Sequence, residues 1–263
     1  MMEKLFVIKI GGNVIDDANA LHQFLADMEG IKAKKILVHG GGKIASAIGS
    51  KLGIQASYVD GRRITDAETI DLVTMVYAGL VNKKIVAQLQ SLGCNAIGLT
   101  GADANIIPAV KRPVKEIDYG FVGDIRIDQV SIIQTKMLID AGLTLVLAPL
   151  THDGKGQMLN TNADTIASVM ATALAASYDV SLLYCFERRG VLESVDNDNT
   201  VIPLIDRGKY QQLLAENKLA DGILPKIDNA FAAIDRGVTD VLIGHAADLV
   251  QNVTEHKKGT LIR

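Results

Sequence analysis

Short apolar runs recur along the chain, each closed by glycine or a polar turn, and between them apolar residues return with a helical period. Residues 5–10, 35–38, 94–99, 143–148, 180–184 and 238–243 read as strands. The helical period predicts helices near 17–28, 42–52, 66–78, 81–92, 131–141, 162–177, 209–216 and 225–236. Strands that alternate with helices predict a mostly parallel sheet covered on both faces. Residues 106–130 break the rhythm. Their segments IIPAVKR and FVGDIRIDQV suit a hairpin excursion better than a strand-helix unit. No internal repeat, low-complexity segment or proline-rich linker divides the chain. Topology places a lobe boundary near 175–180, giving lobes 1–177 and 178–263.

Ligands of open parallel sheets bind beyond the C-terminal ends of the strands. Four polar corners fall there: KIGG, VHGGGK, LNTNAD and GILPK. In the first, Lys9 interrupts an otherwise apolar strand just before Gly11 and Gly12. A desolvated ammonium costs several kcal/mol unless something negative meets it. In the second, Gly40, Gly41 and Gly42 precede a helix, where bare backbone lets an anion reach the N–H groups. A tight strand-to-helix turn explains them equally well. GGGK is not a phosphate-binding P-loop, because Leu37 stands where that motif needs glycine and Ile44 where it needs Ser or Thr. GLTGAD lacks the third glycine of a dinucleotide fingerprint.

The other two corners open helices. Asn162 suits an N-cap and Asp164 a favourable first-turn charge. Asp164 is also able to hold two ammonium groups. Pro225 suits the first helical position, so Lys226 falls in the first turn, where a cation opposes the helix dipole. Either it is solvated there or an anion offsets the penalty. Arg63, in DGRRIT, is either a solvated surface charge or a bidentate fork for a carboxylate.

Composition narrows the setting. The 263 residues are 48% hydrophobic with mean hydropathy +0.22, enough for a large core. No run reaches the ~18 apolar residues of a membrane span, and the N-terminus lacks a signal-peptide pattern. A net charge of −3 argues against a nucleic-acid partner. Cys94 and Cys185 have no metal-like spacing and read as free thiols of a cytoplasmic protein. Two misfit lysines, two glycine corners, one organising aspartate and one arginine together suit phosphoryl transfer between a nucleotide and a carboxylate. That reaction asks for positioning and charge neutralisation above all. No Ser–His or Cys–His pair and no metal cage competes.

In their order, KIGGN, VHGGG, DGRRIT, VNKK, IGLTGADAN, GFVGDI, NTNAD, LPKI and the closing GTLI resemble the amino acid kinase family. Within it they are most similar to the enzymes that phosphorylate N-acylated glutamate. The resemblance runs from Lys9 nearly to the C-terminus. It implies a three-layer αβα sandwich with an open, mainly parallel central sheet, an amino-acid lobe carrying a dimer interface, and a nucleotide lobe. It also implies transfer of the γ-phosphoryl of MgATP to the γ-carboxylate of an N-acylated L-glutamate, the second step of arginine biosynthesis. Acetyl is the default acyl group, and succinyl occurs in some bacterial pathways. An acyl carboxylate would need a basic partner such as Arg62, Lys111 or Arg112.

Carried over by position, Lys9 and Lys226 neutralise the transferring phosphoryl group and the nucleotide phosphates, and Asp164 holds both lysines. Gly11, Gly12, Gly41 and Gly42 donate backbone N–H groups to phosphate oxygens. Arg63 and Asn160 grip the substrate α-carboxylate. Magnesium rides on the nucleotide, so no protein metal ligand is expected. One block departs from the family: LLYCFERRGVL carries no Thr/Ser-Asp pair and about two extra residues. Glu187 is the candidate replacement for that carboxylate on the ATP side. Ile223 stands where the family often has Met.

Arginine-inhibited members of the family carry a helix ahead of the first strand, and here only residues 1–4 precede it. A homodimer insensitive to arginine is therefore expected. Its interface is expected on the helices at 66–92, through Ile70, Val73, Val76, Tyr77 and Leu80, unless these face the chain's own core. The competing reading is a ligand-sensing or scaffold protein of the same fold with impaired nucleotide turnover. The altered loop at 184–189 supports it. The joint retention of Lys9, Asp164 and Lys226 speaks against it, and a nucleotide titration separates the two.

Overall fold

The computed structural model describes every residue except 1, 60, 194–196, 198–199 and 220–222. Its central sheet has eight strands: β1 Lys4–Ile10, β2 Lys34–Val38, β3 Ala96–Leu99, β4 Thr144–Leu147, β5 Asp179–Phe186, β6 Leu204–Ile205, β7 Asp240–His245 and β8 Thr260–Ile262. They lie in the order β6-β8-β7-β5-β1-β2-β4-β3. Every neighbouring pair is parallel except β7 with β8. The helices are α1 Gly12–Asp16, α2 Ala18–Glu29, α3 Gly42–Lys51, α4 Ala67–Val73, α5 Asn82–Ser91, α6 Ile132–Asp140, α7 Ala163–Leu174, α8 Arg207–Ala215, α9 Leu224–Ile234 and α10 Leu249–Asn252.

Side chains alternate across a strand, and here the alternation separates two cores. From β1, Leu5 and Val7 join Ile166 and Met170 of α7 and Phe231 of α9. Phe6, Ile8 and Ile10 join Leu25 of α2 and Ile85 and Leu89 of α5. The sheet is thus the middle of three layers. The same period puts Lys9 on the α7/α9 face. On β5 it puts Tyr184 and Phe186 on that face too, whereas Leu183 and Cys185 belong to the other core.

Several elements differ from the sequence expectation. The helices expected at 66–78 and 81–92 form one unbroken run, because a π-helical segment, Thr74–Val81, joins α4 to α5. Within that run Ile70, Val73, Val76 and Tyr77 are buried in the chain's own core, so they do not offer a dimer face. Only Leu80 of the five is exposed, together with Met75. The strand expected to stop at 184 continues through Phe186. Residues 106–130 do contain a hairpin, Ala109–Lys111 against Gly123–Ile125. The short strands β6 and β8 carry too few residues for a period to register, and α1 and α10 likewise escaped the pattern.

Candidate active site

Lys9 is buried near the end of β1, and its ammonium lies 2.8 Å from Oδ1 of Asp164. Asp164 sits in the first turn of α7, whose N-cap Asn162 accepts from the N–H groups of Asp164 and Thr165. The cap fixes the start of the helix and so aims the carboxylate. Lys226, in the first turn of α9, approaches Oδ2 of the same carboxylate at 3.8 Å. Two cations from opposite ends of the sequence therefore share one anion. Phe186 completes the group. Its ring centroid is 4.6 Å from the Lys9 ammonium and 4.3 Å from that of Lys226.

The two glycine corners differ. The Gly11 N–H donates to the Cys185 carbonyl at 2.9 Å, so this amide is committed to the backbone. It is not free for an anion, contrary to the sequence expectation. Gly12 opens α1, where the first N–H groups have no partner inside a helix. Gly41 is the N-cap of α3 with φ +144°. A Cβ there would lie 3.1 Å from the Tyr77 ring, whereas beside Gly42 there is open space. Just before this corner His39 is fully buried. Its Nδ1 donates to the Gly40 carbonyl at 2.7 Å, and its Nε2 accepts from Asn82 Nδ2 at 3.1 Å. Burial holds the imidazole neutral, pushing its pKa down to about 4.

A cleft of about 240 Å³ opens beside Gly41 and Gly42 and is also lined by Arg63, Tyr77, Arg112 and Asn160. Arg63 and Asn160, the two residues expected to grip the substrate carboxylate, thus line one space with Gly41 and Gly42. Arg63 is buried on the small hairpin Tyr58–Val59/Arg62–Arg63. Its Nη2 donates to the Gly42 carbonyl at 2.9 Å, to Ser46 Oγ at 2.8 Å and to the Tyr58 hydroxyl. Asn160 Nδ2 donates to Thr65 Oγ1 at 3.0 Å, and Thr65 Oγ1 in turn donates to the Arg63 carbonyl at 3.1 Å. Arg112 grips Asp124 through Nε and Nη2, the shortest contact being 2.6 Å. Its buried Nη1 has no hydrogen-bond partner among the described residues. Sequence reasoning gives Phe186 no role and reads Tyr77 as dimer face or core, because an aromatic in a helix or strand carries no sign of a site.

Glu187 is exposed and lies against Gly11, 3.6 Å from where a Cβ would stand. It lines a second cleft of about 290 Å³ with Asn13, Asp17 and His245. It forms no ion pair with Lys9 or Lys226 among the described residues. No group of three or more His, Cys, Asp or Glu side chains is placed to hold a metal ion, again among the described residues.

A mostly parallel sheet between helical layers, with two lysines around one aspartate at its C-terminal edge, defines an α/β protein with a cationic candidate site. Residues 4–245 match the model of the amino acid kinase family, and the chain belongs to that family. It is 54% identical over 257 residues to the acetylglutamate kinase of Cytophaga hutchinsonii, covering 97% of each chain. It is 51% identical over 263 residues to that of Phocaeicola vulgatus, covering the whole of both. Two solved structures share the fold. The N-acetylglutamate synthase from Neisseria gonorrhoeae, complexed with coenzyme A and N-acetyl-glutamate, superposes with a TM-score of 0.81 at 22% identity, over 99% of this chain and 59% of that one. The carbamate kinase from Giardia lamblia bound to AMP-PNP gives 0.72 at 15% identity, over 99% and 98%.

Proposed function

We propose that this chain transfers the γ-phosphoryl group of ATP to the γ-carboxylate of N-acetyl-L-glutamate, a step of arginine biosynthesis. The observation that carries the reading is the sharing of Asp164 by Lys9 and Lys226. Two ammonium groups against one carboxylate leave a positive charge where a transferring phosphoryl group develops negative charge. The near-full-length identity to acetylglutamate kinases supports the choice of substrate.

The chemistry asks for little else. A γ-carboxylate is already ionised at neutral pH, so no general base is needed. Its oxygen attacks the γ-phosphorus while the bond to the β,γ-bridging oxygen breaks, leaving an acyl phosphate and ADP. Magnesium bound with the nucleotide supplies further neutralisation. Arg63 and Asn160 grip the α-carboxylate, with the arginine fork prepared by Tyr58 and Ser46. The Gly42 and Gly12 amides meet phosphate oxygens. The unpaired Nη1 of Arg112 suits the acyl oxygen, and Asp124 already balances the charge of that arginine.

Residues 1–177 serve the amino acid in this reading, because every residue lining the first cleft lies there. Residues 178–263 serve the nucleotide, with Glu187 on that side. The enzyme works in the cytoplasm as a homodimer, and the exposed Met75 and Leu80 on the run from α4 to α5 offer apolar surface for a partner copy. The test is acyl phosphate trapped with hydroxylamine from MgATP and N-acetyl-L-glutamate, with N-succinyl-L-glutamate as comparator. Product with the acetyl substrate is expected. ATP binding without product from either substrate would favour a sensing role over a kinase.

A further inference from the structure

We infer that Phe186 is a positioning residue that holds the two lysines of the site through the face of its ring. The inference rests on the kinase reading above. Three observations meet at this side chain. Both ammonium groups lie over the ring, at 4.6 and 4.3 Å from its centroid, inside the ~6 Å at which a ring quadrupole attracts a cation. The ring is itself held, stacked on buried Tyr184 with centroids 6.0 Å apart and planes at 11°. Strand register places it there: Lys9 lies opposite Tyr184, and Phe186, two residues on, repeats that face.

The choice of an aromatic has a chemical reason. Lys9 and Lys226 repel one another, and Asp164 offers each only one oxygen, at 2.8 and 3.8 Å. The longer contact is the weaker, and Lys226 is also the cation closer to the ring. A second carboxylate there would hold the lysines more tightly. It would also cancel the remaining positive charge and compete with phosphate for both ammonium groups. A neutral ring attracts them and leaves the net charge of the group intact. Phe186 thus fixes the cations before the nucleotide arrives and gives them up to phosphate at no cost in charge.

Two measurements test this. The first replaces Phe186 with mono-, di- and trifluorinated phenylalanine, which drains the ring face of negative potential at nearly constant volume. The logarithm of kcat is expected to fall stepwise with fluorine count. Phe186→Leu is expected to lose about tenfold in kcat, with KM for the amino-acid substrate within about twofold. Phe186→Tyr should restore most of the rate. A flat fluorine series beside a slow Phe186→Leu variant means that the ring only fills space, and overturns the inference. The second measurement needs no turnover. With lysine labelled in carbon-13, the ε-methylene signals of Lys9 and Lys226, assigned through Lys9→Arg and Lys226→Arg, should be displaced by the ring current. The displacement should vanish in Phe186→Leu. Undisplaced signals in the parent protein overturn the inference. If the parent forms no acyl phosphate, the kinase reading fails and the methylene signals alone decide the role of Phe186.

Discussion

One carboxylate shared between two ammonium groups makes each member of the site answer differently to substitution. Removing Lys226 leaves Asp164 paired with Lys9 and the fold undisturbed, because Lys226 is partly exposed on the first turn of α9. Lys226→Ala is therefore expected to fold normally and lose ~10²-fold or more in kcat, about 3 kcal/mol of transition-state stabilisation. Steady-state kinetics on the purified variant check this, and near-normal turnover would remove Lys226 from the chemistry. Arg63 acts through shape. Its Nη2 alone already meets Gly42, Ser46 and Tyr58, and a lysine point charge that kept those contacts would not also offer the other nitrogens of a planar fork to a carboxylate. Arg63→Lys should raise KM for N-acetyl-L-glutamate severalfold more than KM for ATP, and the reverse order would place Arg63 on the nucleotide side. His39 gives a pH signature. Its folded pKa of about 4 lies below the ordinary ~6.5. Between those values the unfolded chain takes up a proton that the folded one refuses. Its contribution is fully present above pH ~6.5 and is lost as pH falls toward 4, by about 3 kcal/mol. Denaturant titrations across that window should show the loss, and His39→Gln should flatten it.

Elements explain which of these residues sequence reasoning reached. Lys9, Lys226, Asp164 and the glycines at 41 and 42 were legible because each breaks a local rule or suits a helix start: a cation in an apolar strand, a cation at the positive end of a helix, bare backbone before a helix. Phe186 and Tyr77 break no rule, so only pairing in three dimensions gives them away. Gly11 shows the opposite failure. The motif marks a corner, yet strand β5 takes its N–H through the Cys185 carbonyl, which no local pattern encodes. At the other corner, α3 starts from a backbone angle that L side chains rarely adopt, with Tyr77 of the π-helical segment beside it. Gly41→Ala forces both a strained φ and a push against that ring, at a cost of order 1–3 kcal/mol. Lower thermal stability together with a raised KM for the amino-acid substrate is expected. A rise in KM for ATP alone would mean that this corner serves the nucleotide.

Across the whole molecule, the αβα layering was legible because strand and helix periods are strong signals over long elements. The division into lobes was read from topology, and the sheet bears on it. Strand β1 pairs with β2 on one side and with β5 on the other through seven registered positions. The proposed amino-acid and nucleotide halves therefore share one continuous sheet, and separating them would strip β1 along its length. A fragment of residues 1–177 is expected to lack a cooperative unfolding transition by circular dichroism. A sharp two-state melt of that fragment would show that the lobes are independent folding units.

The pairing of β1 with β5 also bears on how the protein is made. Lys4 and Asp179 are bonded across 175 positions, so the middle of the sheet is closed by one of the longest loops in the chain. Contacts of that separation form slowly. During translation the first strand waits with one edge bare until residues 179–186 have left the ribosome, and a bare apolar edge invites pairing with other chains. Nascent chains stalled before that point are the species that a chaperone would have to shield. The charge arrangement of Lys9, Asp164 and Lys226 cannot exist in any of them, so the proposed phosphate site assembles in a single late event.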